Sequence, residues 1–124
     1  MKKTKGQIEA DISEAITKFE KEFMGRGPIE TKTFILDDLV LVRLNGVLTK
    51  AEHQLANTDK NGRGRQLIKQ MRVELIEKGR PLLEAIVENI TGQKVKSLHT
   101  DISTITGERI IIFTLRAPPK FEHL

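Results

Sequence analysis

The stretch IETKTFILDDLVLVRL, residues 29–44, contains two runs of apolar and β-branched residues that meet at Asp37 and Asp38. β-Branched residues favour extended backbone, and aspartates between two such runs are typical of a turn. The stretch therefore predicts a β-hairpin with strands at 29–36 and 39–45. In the second strand, residues 39–42 are all apolar, so both of its faces are apolar.

A second hairpin is predicted at the end of the chain, with strands at 94–103 and 108–116 and a turn from Thr104 to Gly107. Residues 110–113 (IIIF) again carry apolar side chains on both faces. A strand with one face in water normally alternates between apolar and polar residues. We therefore expect a second layer over the sheet, either the short helix described next or a second subunit, and favour a homodimer.

Three helices are also predicted, one before the first hairpin and two between the hairpins. Residues 5–24 are predicted to form an amphipathic helix, because their apolar residues recur at helical spacing. These are Ile8, Ile12, Ile16, Phe19 and Phe23. Thr49 and Glu52 have the spacing of a capping box, which predicts a short helix that ends near Asn57.

A long helix is predicted from about residue 65 to 90, followed by Gly92. The predicted core-facing positions are Leu67, Met71, Leu75, Leu82 or Leu83, Ile86 and Ile90. Pro81 lies inside this helix, and a proline removes a backbone hydrogen bond there, so a kink or break is expected near Gly79 and Arg80.

These elements predict an α+β fold in the order helix, strand, strand, short helix, helix, strand, strand. The simplest packing is a four-stranded antiparallel sheet with two main helices on one face. The 124 residues are expected to form one domain with an ordered core at about 5–116. A basic N-terminal start precedes this core, and a proline-rich tail from Pro118 is expected to be loose.

The composition of the chain excludes several kinds of functional site and of targeting segment. The chain has no cysteine, which excludes disulfides, thiolate metal sites and a cysteine nucleophile. The basic start is not followed by an apolar segment, and no apolar run approaches the roughly 20 residues of a membrane span. We expect a cytoplasmic protein with neither signal peptide nor membrane span.

The net charge of +4 lies within one segment, residues 58–80, which has seven basic and three acidic residues. A helix start offers free amides, glycines allow close approach to the backbone, and arginines bind carboxylates or phosphates with two hydrogen bonds. The segment predicts a site for a small anion or an acidic partner. Its residues are Gly62, Arg63, Gly64, Arg65, Lys69 and Arg72.

The same basic helix, residues 60–80, is the basis of an alternative function as a nucleic-acid-binding module. The charge is suitable, but the chain has no Trp or Tyr to stack on bases. The two functions differ in their dependence on salt, because binding to nucleic acid through several phosphates weakens steeply as salt rises.

A second candidate polar site is formed by His99, Asp101 and Arg109. His99 and Asp101 are two residues apart on a predicted strand, so they share a face, and Arg109 is expected to pair with Asp101 across the hairpin. A catalytic triad needs a nucleophile and a zinc site needs at least three ligands, and neither is found. We expect a structural role, no metal, no cofactor and no enzymatic activity.

Several segments resemble the MpsC-like family of small bacterial domains over about residues 5–116. They are GRGP at 25–28, VRLNGVLT at 42–49, Arg80 with Pro81, LHTDIS at 98–103 and TGER at 106–109. The resemblance implies an association with a bacterial sodium-translocating, membrane-potential-generating system linked to inorganic carbon supply. The expected function is thus a non-enzymatic accessory or regulatory protein of such a system.

Overall fold

The computed structural model describes residues 3–58 and 60–122. The elements, in chain order, are α1 (Lys5–Phe23), β1 (Glu30–Leu36), β2 (Leu39–Asn45), α2 (Lys50–Thr58), α3 (Arg63–Thr91), β3 (Val95–Ile102) and β4 (Arg109–Leu115). This order and the α+β class confirm the sequence prediction. Helix α2 begins with the predicted capping box of Thr49 and Glu52, and α1 begins with another, formed by Thr4 and Gln7.

The four strands form one antiparallel sheet in the order β1-β2-β4-β3. Each hairpin pairs its own strands, and β2 pairs with β4 to join the two hairpins, with Val42 opposite Ile111. Helices α1 and α3 pack on one face of the sheet and on each other. The core lies between these layers, and α1 supplies Ile8, Ile12, Ile16 and Phe19 to it as predicted.

The opposite face of the sheet, which we call the open face, has no helix over it within the described part of the chain. Helix α2 packs against α3 and therefore does not provide the second layer that the apolar strands predict. The pairing register and the alternation of side chains place six apolar residues on this face. They are Phe34, Leu36, Leu39, Leu41, Ile110 and Ile112.

Helix α3 differs from the prediction in the face that it buries. Leu67 and Met71 were expected in the core, but they are 53% and 42% exposed, and the buried stripe lies one residue further on. Besides apolar residues, this stripe contains Arg72, Gly79 and Thr91. Because those three residues are not apolar, hydrophobicity alone favours the wrong face.

Of the kink or break expected near Gly79 and Arg80, the break is wrong, because α3 continues from Arg63 to Thr91 through Pro81. Pro81 lies on the exposed side of the helix, so the lost backbone hydrogen bond is on the side that water can reach. Ile76, before Pro81, and Leu83, after it, are both buried in the core and hold both halves of the helix on the sheet.

The C-terminal tail is not loose up to residue 122. The amide of Glu122 donates to the carbonyl of Lys3 at 2.8 Å, and Phe121 packs against the core. The predicted basic start includes Met1 and Lys2, which lie outside the described residues. Within the described residues, no helix has both the length and the apolarity to cross a membrane.

Candidate partner-binding site

The start of α3 is fixed by two glycines. Gly62 adopts φ +73°, the left-handed conformation that glycine favours, and precedes the first turn. Gly64 is buried, and a Cβ built on it would lie 1.8 Å from the carbonyl oxygen of Leu55 in α2. These glycines therefore set the close packing of α2 against α3, and in doing so they position Arg63 and Arg65 at the surface.

Arg63 and Arg65 are exposed, and neither forms an ion pair with another residue of the described ranges. The Arg65 guanidinium lies over the Gly62 turn, 2.7 Å from where a Cβ on Gly62 would be. Beside it is an open depression of about 400 Å³. Its lining comes from the start of α3 and from the β3–β4 loop: Asn61, Gly62, Arg65, Gln66, Lys69, Thr104 and Ile105.

Lys69 joins this surface to the second candidate polar site. Its Nζ lies 3.4 Å from Oδ1 of Asp101, which also accepts a hydrogen bond from the amide of Ile102 at 2.8 Å. That backbone hydrogen bond, with the charge of Lys69, lowers the pKa of Asp101 below its ordinary value. Asp101 thus partly neutralises Lys69, and the uncompensated charge of the surface is that of the two arginines.

Arg72, which the sequence placed on the same surface, is instead buried. Its guanidinium donates two hydrogen bonds to the Glu52 carboxylate, at 2.8 and 3.1 Å, and one to the carbonyl of Val47 at 3.0 Å. Burial by itself raises the pKa of Glu52, but the hydrogen bonds from Arg72 and Thr49 outweigh it and lower the pKa. Arg72 therefore ties α3 to α2, and it is not available to a partner.

Arg109 is separated from His99 and Asp101 by the sheet itself. In the register, Arg109 pairs with Ile102 and Asp101 pairs with Ile110, so the expected Arg109–Asp101 pair is wrong. Arg109 projects into the core, where its guanidinium donates to Oγ1 of Thr100 at 2.9 Å. The three residues do not form one site.

Arg109 meets an acidic residue that the sequence prediction missed. Its Nε lies 3.9 Å from Oε1 of Glu20, and both side chains are almost fully buried. Neither carboxylate oxygen of Glu20 has a hydrogen-bond partner among the described residues. Burial raises the pKa of Glu20 and lowers that of Arg109, against their mutual attraction. One signal was present in the sequence, since Glu20 continues the stripe of Ile12 and Ile16 at a spacing of four.

His99 lies on the open face opposite Ile112. With Thr100, Asp101, Ile110 and Ile112 it lines a shallow recess of about 200 Å³ whose exposed surface is mostly apolar. Among residues 3–58 and 60–122, no group of three or more histidines and carboxylates is arranged to hold a metal ion. At the start of α3, the basic residues that remain exposed are Arg63, Arg65 and Lys69, and we call them the basic end.

Comparison with known proteins gives two matches. The sequence profile of a family described as "Na+-translocating membrane potential-generating system (MpsC)" matches residues 4–117. The uncharacterized protein YbcI of Bacillus subtilis (strain 168) is 49% identical over 115 residues, which is 93% of this chain and 90% of the relative. No solved structure matches the chain.

Proposed function

Because the chain belongs to the MpsC family, we propose that it is a non-enzymatic accessory or regulatory protein of a Na⁺-translocating, membrane-potential-generating system. In this proposal the protein is cytoplasmic, and it docks through the basic end onto an acidic surface of another protein. Its support is the description of the family together with the exposed basic residues at the start of α3.

The observation that carries the docking role is the exposure of two arginines that form no ion pair within residues 3–58 and 60–122. An arginine beside a carboxylate in its own chain has less to gain from a partner, as for Arg72 with Glu52. Arg63 and Arg65 are exposed and form no such ion pair with a described residue. Charge that a protein leaves uncompensated at its surface attracts and orients a partner of opposite charge.

An acidic protein surface suits this site better than a small anion. The depression beside Arg65 is open to solvent, so a small anion there would keep much of its water and gain little from two flexible side chains. A protein surface presents several carboxylates at once and also covers exposed apolar residues at the rim. Ile105, which is 79% exposed, is one of these.

The placement of the titratable side chains supports a non-enzymatic role. Glu20 and Arg109 are enclosed in the core, while His99 and Asp101 lie on the other face of the sheet. General acid–base chemistry requires such groups to converge on one substrate. His99 and Asp101 share only the shallow recess of about 200 Å³ on the open face, and the buried Glu20 and Arg109 do not line it.

The proposal is tested by titrating the protein with defined acidic probes. Calorimetry with a peptide of about ten glutamates compares the native protein with the variant Arg63→Gln/Arg65→Gln. Two charged hydrogen bonds contribute about 1.5–3 kcal/mol each, so the variant should bind at least about tenfold more weakly. The matched control is Lys18→Gln/Lys78→Gln, which removes the same charge from exposed helix positions elsewhere and should bind normally.

Parallel titrations distinguish the other ligand classes. Sodium phosphate and bicarbonate represent small anions, and a single-stranded RNA of about 20 nucleotides represents nucleic acid. The proposal predicts that the glutamate peptide binds more tightly than either small anion. RNA binding that exceeds peptide binding and falls steeply between about 50 and 200 mM salt would contradict it, as would equal losses in the variant and its control.

A further inference from the structure

The sheet has two edges, β1 on one side and β3 on the other. In an antiparallel pair of strands, every second residue directs its amide and carbonyl away from the neighbouring strand. At an edge, these outward groups can form hydrogen bonds with a strand of another chain, which then extends the sheet. The groups that occupy them therefore control whether a second copy of this chain can be added.

The edge at β1 is regular. The amide of Ile35 bonds outside the sheet, so the alternation places the outward groups of β1 at Thr31, Thr33 and Ile35. The pairing of β1 with β2 continues without a shift through all seven residues of the strand. A regular edge of this length is suited to the addition of a further strand.

The residues of β1 also favour such an addition. Residues 31–36 (TKTFIL) contain three β-branched residues, one charge and no proline. Phe34 and Leu36 are 43% and 54% exposed on the open face, beside this edge. Segments of about six residues with this composition pair readily with copies of themselves. The strand would therefore promote self-association if its outward groups were uncovered.

Helix α1 covers part of this edge with a carboxylate. The helix packs along β1, and Oε2 of Glu9 accepts a hydrogen bond from the amide of Ile35 at 2.8 Å. One turn later, α1 bonds to a side chain of β1 instead, because the hydroxyl groups of Ser13 and Thr33 lie 2.7 Å apart. An added strand would have to displace the carboxylate of Glu9 or bury its charge, and both are unfavourable.

The edge at β3 is covered in a similar way. The carbonyl of Leu98 accepts a hydrogen bond from Nη2 of Arg80 in α3 at 3.4 Å, and the amide of Ile102 donates to Oδ1 of Asp101 at 2.8 Å. This strand has a bulge between residues 95 and 97, and the amide of Val95 donates to Glu88 of α3 at 2.9 Å. A bulge bends an edge and interrupts its pairing.

From these contacts we infer that Glu9 at one edge, and Arg80 with Asp101 at the other, prevent a second copy of this chain from adding a strand to the sheet. All three side chains are charged, and each occupies a backbone group that an added strand would use. The bulge gives β3 further protection, so the loss of Glu9 should have the largest effect. The inference does not depend on the proposed docking function.

The main test compares Glu9→Ala with Ser13→Ala. Both variants remove a bond from α1 to β1, but only the first uncovers a backbone amide of the edge. After about two days at about 200 µM and about 37 °C, sedimentation velocity should find at least about fivefold more protein in large assemblies for Glu9→Ala than for the native chain or Ser13→Ala. Equal assembly of the two variants, or none with Glu9→Ala, would overturn the inference.

Two further variants test the mechanism. Glu9→Gln keeps a hydrogen-bond acceptor beside the amide of Ile35, so it should assemble less than Glu9→Ala. The variant Arg80→Ala/Asp101→Ala uncovers two groups of β3 and should assemble more than the native chain, but less than Glu9→Ala, because the bulge remains. The inference fails at β3 if this double variant matches the native chain.

Hydrogen exchange shows where the copies of Glu9→Ala meet. Strand addition at β1 provides acceptors for the amides of Thr31, Thr33 and Ile35. These amides should therefore exchange at least about tenfold more slowly in the assemblies than in the unassembled variant. Association through the open face would cover side chains and leave the outward amides as they were. Unchanged exchange at all three positions would refute strand addition at β1.

Discussion

Glu20 and Arg72 are charged residues inside the buried stripes of α1 and α3. They differ in how well a neighbouring group of opposite charge compensates their own charge. Arg72 has two hydrogen bonds to Glu52 and one to a carbonyl, whereas Glu20 and Arg109 approach to 3.9 Å without a hydrogen bond between them. A buried ion pair is stabilising only when its geometry recovers the free energy of desolvation. The two pairs should therefore respond differently to substitution and to pH.

Removing Arg109 should destabilise the fold strongly because the buried Glu20 carboxylate then lacks its nearest cation. For Arg109→Met we expect a loss of about 3–5 kcal/mol in the free energy of unfolding near pH 8, measured by urea denaturation. The double variant Glu20→Leu/Arg109→Met should recover to within about 1 kcal/mol of the native protein, because no buried charge is left.

The pH dependence of the Arg109→Met variant follows from the raised pKa of Glu20. A raised pKa in the folded state means that the protonated form favours folding below 4.5, and that this contribution is lost as pH rises through the folded pKa. The loss in Arg109→Met should therefore be smaller near pH 5 than near pH 8. An equal loss at both pH values would contradict a buried, ionised Glu20.

Glu52 should show the opposite pH dependence. Its pKa is lowered in the folded state, so its contribution to stability is complete above the ordinary value of 4.5 and is lost as pH falls through the folded pKa. Glu52→Gln should reduce the free energy of unfolding by about 3 kcal/mol at neutral pH, since it leaves Arg72 buried without a carboxylate. The difference from the native protein should shrink as pH falls below 4.5, and a constant difference would exclude the ion pair as its cause.

At the scale of elements, the close approach of α2 to α3 requires that residue 64 have no side chain. A methyl group on Gly64 would overlap the Leu55 carbonyl at 1.8 Å, which backbone atoms cannot relieve without a shift of α2. Gly64→Ala should therefore destabilise the protein by about 1–3 kcal/mol in thermal or urea denaturation. The control is Gly6→Ala in the first turn of α1, where nothing lies within 4 Å, and it should be neutral or slightly stabilising.

The order of helices and strands could be predicted from the sequence, but the face of α3 that is buried could not. Caps, turns and apolar periodicity are local signals, and they located every helix and strand to within about two residues. The buried face of α3 is decided by its neighbours: Arg72 is accepted there because Glu52 meets it, and Gly79 because Phe19 packs on it. The expected pair of Arg109 and Asp101 failed for a similar reason, since strand register is fixed by the whole sheet.

At the scale of the whole molecule, the basic end and the apolar part of the open face are distinct surfaces. The basic end is formed by the start of α3 and the β3–β4 loop, and the apolar part of the open face lies on β1, β2 and β4. The sequence indicated both, through the charge of residues 58–80 and the two-sided apolar strands. Only the fold showed that Arg72 leaves the first surface and that α2 does not cover the second.

We propose that the basic end attaches this protein to a Na⁺-translocating system. Quantitative mass spectrometry should compare proteins that co-purify with the tagged chain from its native cells, for the native protein, Arg63→Gln/Arg65→Gln and the control Lys18→Gln/Lys78→Gln. We predict that components of the system are enriched with the native protein and the control, and fall at least about tenfold with the arginine variant. Enrichment of these components with all three proteins alike, or with none of them, would contradict the claim.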